Sequence, residues 1–448
     1  MNRLIKFLWI PILLVSCNLP GGESTTQPGP ATLTSTQVEA EVAEDTLTPP
    51  PEVTVTSESV PESQDTPTDP QVPDSPTITP LPFSTPLPLT SGEIITVTKI
   101  QMYDPLTGWG VGYQEWSGDH ILYTQDGGST WIDRTPPDTM ADQPDEIGSA
   151  STHFLDADHA WVIYASRRLP PPLQQKLIWR TSDAGLTWEP GNPLQVDGME
   201  DAFLPRGFAS VSRMEGWLLV HIGGGMSHDY SYLYQTLDGG VSWERILDPY
   251  GGGIQGLGNT AIAFVDVDYG WVSKDNLGVL PGAFFEQTLD GGRTWERVFL
   301  PHPPELDWFN EASLCETSQP TFLGDQTGML IVKCRLPGDL DQDIDWSLTY
   351  IYRTEDRAET WEFSKLPTAV DQLLFSDQDQ GWAFGRDLYR TSDGGRSWQP
   401  FKMVNWDGQF TFINPDTGWA VARNEAEIAL VNTVDAGDTW QIIDTTIR

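Results

Sequence analysis

Asp339, Asp341, Asp343 and Asp345 alternate along the stretch DLDQDID, and several carboxylates at short spacing are what a hard cation such as calcium requires. An EF-hand type of loop needs Gly where Trp346 stands and a bidentate Glu where Tyr352 stands, so a solvated acidic loop is the preferred reading and calcium the weaker one. The histidines at 120, 153, 159, 221, 228 and 302 lack zinc-ligand spacing, and no G-x-S-x-G elbow or phosphate-cradling loop occurs. No catalytic residue and no cofactor is therefore assigned. Trp116, Trp308, Trp346 and Trp406 are the remaining candidates. They form either a stacking or anchoring surface for a sugar or a protein, or hydrophobic plugs over the elements that carry them.

The elements that must position these residues repeat. A Thr-x-Asp-x-Gly-x-Thr/Ser-Trp pattern begins at Thr124, Thr181, Thr236, Thr288 and Thr391, with weaker copies at Thr354 and Thr433. Each copy carries one aspartate: Asp126, Asp183, Asp238, Asp290, Asp356, Asp393 and Asp435. A carboxylate that accepts backbone N–H groups, a Gly that tolerates positive φ, and a Trp that fills the space beneath together staple a strand-to-strand turn. Ala358 replaces that Gly in the fifth copy, which predicts a local irregularity in that unit.

Ahead of each staple stands Gly-Trp at Trp109, Trp217, Trp271, Trp382 and Trp419, Ala-Trp at Trp161 or Gly-Met at Met329, with a Phe usually seven residues earlier. Four short strands per unit and seven units predict an all-β fold, a seven-bladed β-propeller of four-stranded antiparallel blades. Spacing between successive aspartates varies while the motifs do not, so the variation falls in the B-to-C and D-to-A connections. These lie together on one face, opposite the turns, and Trp116, Trp308, Trp346 and Trp406 all fall there. Ring closure is left open between a blade built from one end of the chain and a blade shared by both ends.

The turns resemble the Asp-box, or bacterial neuraminidase, repeat. Sialidases share it, but the Arg-Ile-Pro motif expected of that family before the first box is missing: IQMYDPLTGWGVG stands there. Arg167-Arg168 and Pro205-Arg206, placed in variable-face loops, do not match it either. Xyloglucan-cleaving hydrolases with the same repeat imply a second propeller and acids between the two. The alternation of Gly-Trp with Thr-x-Asp-Gly-Gly-x-Thr-Trp over residues 93–448 is similar to the photosystem II stability and assembly factor family. That resemblance implies a lipid-anchored propeller that binds an assembling membrane complex, partly through a basic patch, and no cluster of arginines is evident here.

The chain opens MNRLIKFLWIPILLVSC, two bases ahead of an apolar run too short to span a bilayer, and reads as a secretory signal. Leu14-Val15-Ser16-Cys17 resembles the lipobox of bacterial lipoproteins, which implies acylation of Cys17. Residues 18–92 contain no Lys or Arg and are crowded with Thr, Pro, Ser and Glu. This is the composition of a disordered, semi-stiff tether. Three domains follow: 1–17 signal, 18–92 tether, 93–448 propeller.

The net charge of −39 disfavours nucleic acid and anionic lipid head groups as partners. The third cysteine aside, Cys315 and Cys334 would face an oxidising compartment, which favours one disulfide over two buried thiols. The expectation is a monomeric, extracytoplasmic protein, held to the membrane by lipid alone, that binds an envelope protein or polysaccharide. A scaffolding or assembly role is the first reading, and carbohydrate binding and glycoside hydrolysis are the alternatives.

Overall fold

The computed structural model describes residues 89–448 apart from 115–117, 138–148, 166–175, 198–201, 226–228, 250–252, 255–257, 276–279, 304–313, 336–347 and 426. Within them the chain is a seven-bladed β-propeller with no helix among the described residues. The blades comprise residues 96–133, 150–190, 204–247, 259–299, 314–366, 370–403 and 407–443. Each is an antiparallel meander whose first strand faces the axis and whose fourth lies outermost.

The second strands are buried along most of their length, as in Gly270–Lys274, because both faces of a central strand are covered by neighbouring blades. The Gly-Trp pair follows from that packing. Gly270 lies directly across from Phe264, and a Cβ there would come within 2.6 Å of the Phe264 ring. The Trp beside it reaches the next blade: Trp217 stacks on Phe264 at 3.7 Å and 4°, and Trp382 on Phe412 at 4.7 Å and 21°. Two units lack the aromatic, with Met102 in blade 1 and Ser210 in blade 3, and the second fills the place with a histidine of the preceding blade. His153 stacks between Trp161 and Phe208 and shares a 2.7 Å hydrogen bond with the Ser210 hydroxyl.

All seven turns share one bonding scheme. The Thr hydroxyl donates to the Asp carboxylate at 2.7–3.0 Å. The carboxylate in turn accepts the backbone N–H of the Thr or Ser four residues on at 2.8–2.9 Å. The fifth turn keeps the scheme, with Ala358 N–H donating to Thr354 Oγ1 at 3.0 Å although Arg357 and Ala358 have φ of 57° and 71°. The irregularity of blade 5 sits instead in its first strand, which breaks between Leu314–Thr317 and Thr321–Phe322 at Pro320. Cys315 and Cys334 lie directly opposite each other on the first and second strands of that blade and are joined by a disulfide.

The turns also join blades. At six of the seven junctions a donor of the preceding blade bonds the carbonyl just after the turn aspartate. Trp161 donates to Gly239, Trp217 to Gly291, Tyr269 to Arg357, Arg353 to Gly394, Arg390 to Ala436 and Trp419 to Gly127. From blade 1 to blade 2 the indole of Trp109 bonds Asp156 O at 2.9 Å instead.

The four meander strands of blade 1 come from the start of the described chain and those of blade 7 from its end, and the ring is closed by a fifth strand that the last residues add to the blade 1 sheet. The final residues then form a strap. Thr446–Ile447 lies parallel to Thr130–Trp131 on one side, and on the other Ile447 bonds Gly92 and Glu93 while Thr445 accepts the Ile95 N–H. Ile447 and Ile95 are buried with Trp131 and Trp419 at the seam of blades 7 and 1.

Candidate functional site

An open groove of about 1060 Å³ starts among the B-to-C and D-to-A connections of blades 5 to 7 and runs down the outer seam of blades 6 and 7 to the staple turn of blade 7. This matches the upper end of ligand clefts. Its walls come from the connection at Pro367–Ala369, the tight turn at Arg386-Asp387, the connection at Met403–Trp406 and the edge of Trp440. Met403 is 74% exposed because it ends an outermost strand. Trp406 is half-buried: one side stacks on Phe410 at 5.5 Å, and Trp440 meets it edge-on at 5.8 Å. Thus it plugs the seam and lines the groove at once.

Charges on the rim are matched. Arg386 Nε lies 3.1 Å from Asp407, and Lys402 Nζ donates to the carbonyl of Asp438 at 2.8 Å. Lys333 Nζ lies 2.7 Å from both Glu316 and Asp371. Burial acts to lower the pKa of Lys333, but its bonds to Asp371 and Glu316 outweigh burial and hold it above its ordinary value. Lys333 therefore stays charged and oriented, and the groove presents both signs beside apolar surface.

Of the residues singled out from the sequence, only Trp406 among the four tryptophans is described. Trp116, Trp308 and Trp346, the acidic run Asp339, Asp341, Asp343 and Asp345, and Cys17 lie outside the described residues. Pro205 and Arg206, read as loop residues, stand on the axis-facing strand Leu204–Ser210.

Sequence reasoning missed a belt of polar side chains that ties the axis-facing strands together. Lys99 donates to Thr152, Gln372 pairs with the backbone of Phe410, and Gln409 pairs with that of Ile100. Lys99, Gln372 and Gln409 each stand ten residues before a second-strand Trp, a signal present in the sequence but overlooked. Burial lowers the pKa of Lys99 to about 8. A second network, under the same face at blades 3 and 4, buries Lys274 and Glu286. Arg297 donates to Glu286 at 2.8 Å, Lys274 donates to Asn259, and Asn259 donates to Ser231 at 3.2 Å.

A carboxyl poised for acid catalysis would show a raised pKa. Among the described carboxyls only Asp119 is pushed up, by burial, and it accepts the Ala150 N–H at 2.9 Å as a loop brace. The described face offers an amphipathic surface.

No protein-family model and no curated protein matches the chain. Solved structures do. YCF48 bound to a D1 peptide is 19% identical over 77% of this chain and 95% of its own, with a TM-score of 0.48. YCF48 from Cyanidioschyzon merolae is 17% identical over 78% and 98%, with a TM-score of 0.48. The GH74 xyloglucanase of Xanthomonas campestris is 15% identical over 80% of this chain and 56% of its own, with a TM-score of 0.50. At these identities the likeness is one of fold.

Proposed function

We propose that this propeller binds a protein partner in the cell envelope through its B-to-C/D-to-A face, in a scaffolding or assembly role. The groove at the seam of blades 6 and 7 carries the reading. Its exposed Met403, its Trp406 anchor and its Arg386 are of the types enriched in the buried centres of protein interfaces, and matched ions rim them. In this proposal Cys17 carries lipid and residues 18–92 hold the propeller off the membrane on its extracytoplasmic side.

The test uses the full chain in its native envelope with a photo-cross-linking residue at position 403, alone and combined with Trp406→Ala. A discrete protein adduct that weakens several-fold in the Trp406→Ala background supports the reading. Adducts that are unchanged, or that form on polysaccharide, end it. Labelled palmitate should enter the wild type and not Cys17→Ser, and label retained by the variant removes the anchor.

A further inference from the structure

The seven turns are equivalent in backbone but not in what they expose. Leu186, Leu237 and Leu289 are 65%, 61% and 65% exposed on the staple turns of blades 2, 3 and 4, and Val241 is exposed beside Leu237. Met214 and Val267, exposed on the first-to-second-strand turns of blades 3 and 4, stand on the same face. Backbone bonds of 2.9 Å from Gly239 to Met214 and from Gly291 to Asp268 hold the two turns of each blade together. Between blades, Trp161 bonds Gly239, Trp217 bonds Gly291, and Arg213 pairs with Asp156 at 2.6 Å. The apolar tips therefore sit side by side on three consecutive blades. One such residue continues the arc on each of blades 1 and 7, and none among the described residues stands on the turns of blades 5 and 6. Intrinsic turn chemistry does not ask for leucine: the position of Leu237 and Leu289 is Gln125 in blade 1 and Glu355 in blade 5, and that of Leu186 is Ser129 in blade 1 and Glu359 in blade 5.

We infer that the turn face of blades 2 to 4 is a second docking surface, and that its occupant is a protein segment combining aliphatic side chains with lysine or arginine. Charge complementarity selects that occupant. The turns of these blades carry Asp156, Asp158, Asp183, Glu215, Asp238, Asp266, Asp268 and Asp290 against Arg213 and Arg293. Asp183, Asp238 and Asp290 are hydrogen-bonded by their own turns in a way that lowers their pKa although burial opposes it, so they stay ionised. A second copy of the chain would bring acid against acid, and an anionic bilayer is repelled for the same reason. Apolar tips among fixed carboxylates leave a basic amphipathic segment as the surface that satisfies both.

A fluorescent peptide of leucine and lysine in amphipathic order, bearing a photoreactive group, is titrated against the full chain. Its serine-for-leucine and glutamate-for-lysine versions serve as controls. Affinity should fall at least tenfold for Leu237→Ser/Leu289→Ser, fall and lose salt dependence for Asp158→Asn/Asp268→Asn, and hold for Trp406→Ala, with adducts on the turns of blades 3 and 4. Melting temperatures unchanged in these exposed-site variants separate binding from folding. Equal affinity in the leucine variant, or equally tight binding of the serine peptide, overturns the inference. So does binding to phosphatidylglycerol vesicles, or a dimer in sedimentation, that the leucine variant abolishes.

Discussion

Trp217→Phe and Trp382→Phe are the same substitution at equivalent positions, and they should differ sharply in cost. Both indoles are buried on a second strand and stack on a phenylalanine of the next blade. Trp217 Nε1 donates to Gly291 O at 2.9 Å, whereas Trp382 Nε1 is buried without a partner because Arg390 makes the corresponding bond. The volume removed is the same at both sites, so the cavity term largely cancels in the difference. At 217 the substitution strands a buried carbonyl, which costs about 1–3 kcal/mol. At 382 it deletes an unpaired buried N–H and recovers a similar amount. Trp217→Phe should therefore be less stable than Trp382→Phe by on the order of 3 kcal/mol. Equilibrium urea unfolding at 25 °C, followed by far-ultraviolet circular dichroism, reads the difference. Equal costs, or a greater cost at 382, would refute the claim that these bonds hold the blades together.

Acid should weaken the ring in two steps. Burial, helped by the charge of Lys99, pushes His153 down to about 4. Between pH 6.5 and 4 the unfolded chain takes up a proton that the native ring refuses, so stability falls as pH falls, by about 3 kcal/mol in all. His153→Asn should flatten the urea midpoint over that window. The turn acids Asp393 and Asp435, held at about 2 by their hydrogen bonds against the pull of burial, stabilise the fold above pH 3.8 and lose that contribution only as pH falls towards 2. The disulfide closes a separation of 19 residues, and Cys315→Ala/Cys334→Ala should cost about 3 kcal/mol by chain entropy. Dithiothreitol should lower the wild-type midpoint and leave the variant unmoved, and an unresponsive wild type would contradict this.

The blade count, the strand order and the staple turns were legible because their causes are local. Thr236 bonds Asp238 two residues on, and Asp238 bonds Ser242 four residues on, so the pattern is written within one short stretch. The Gly-Trp motif was legible as a marker but not as a mechanism, since the reason for Gly270 is a ring across the strand pair and the reason for Trp217 is a ring on another blade. Bonds between blades left weaker traces. Arg353 and Arg390 replace an indole as the donor, and their partners stand 41 and 46 residues away. Ala358 misled because positive φ was weighed without the hydrogen bonds that hold the turn, whereas Pro320 offered a plain signal of the broken strand. The apolar tips of the turns went unnoticed because Leu237 and Leu289 fill positions of the repeat that carry no bonding role.

The strap at the seam of blades 7 and 1 brings Gly92 and Ile447 within one hydrogen bond of 2.8 Å. A propeller whose first and last residues already touch does not depend on which connection is left open. A short linker across that gap would make the backbone a closed loop, free to be cut at any exposed connection between blades and still wind into the same ring. Sequence order and spatial order are therefore separable in this molecule, and the place where a tail or anchor leaves the disc is an independent variable of the architecture.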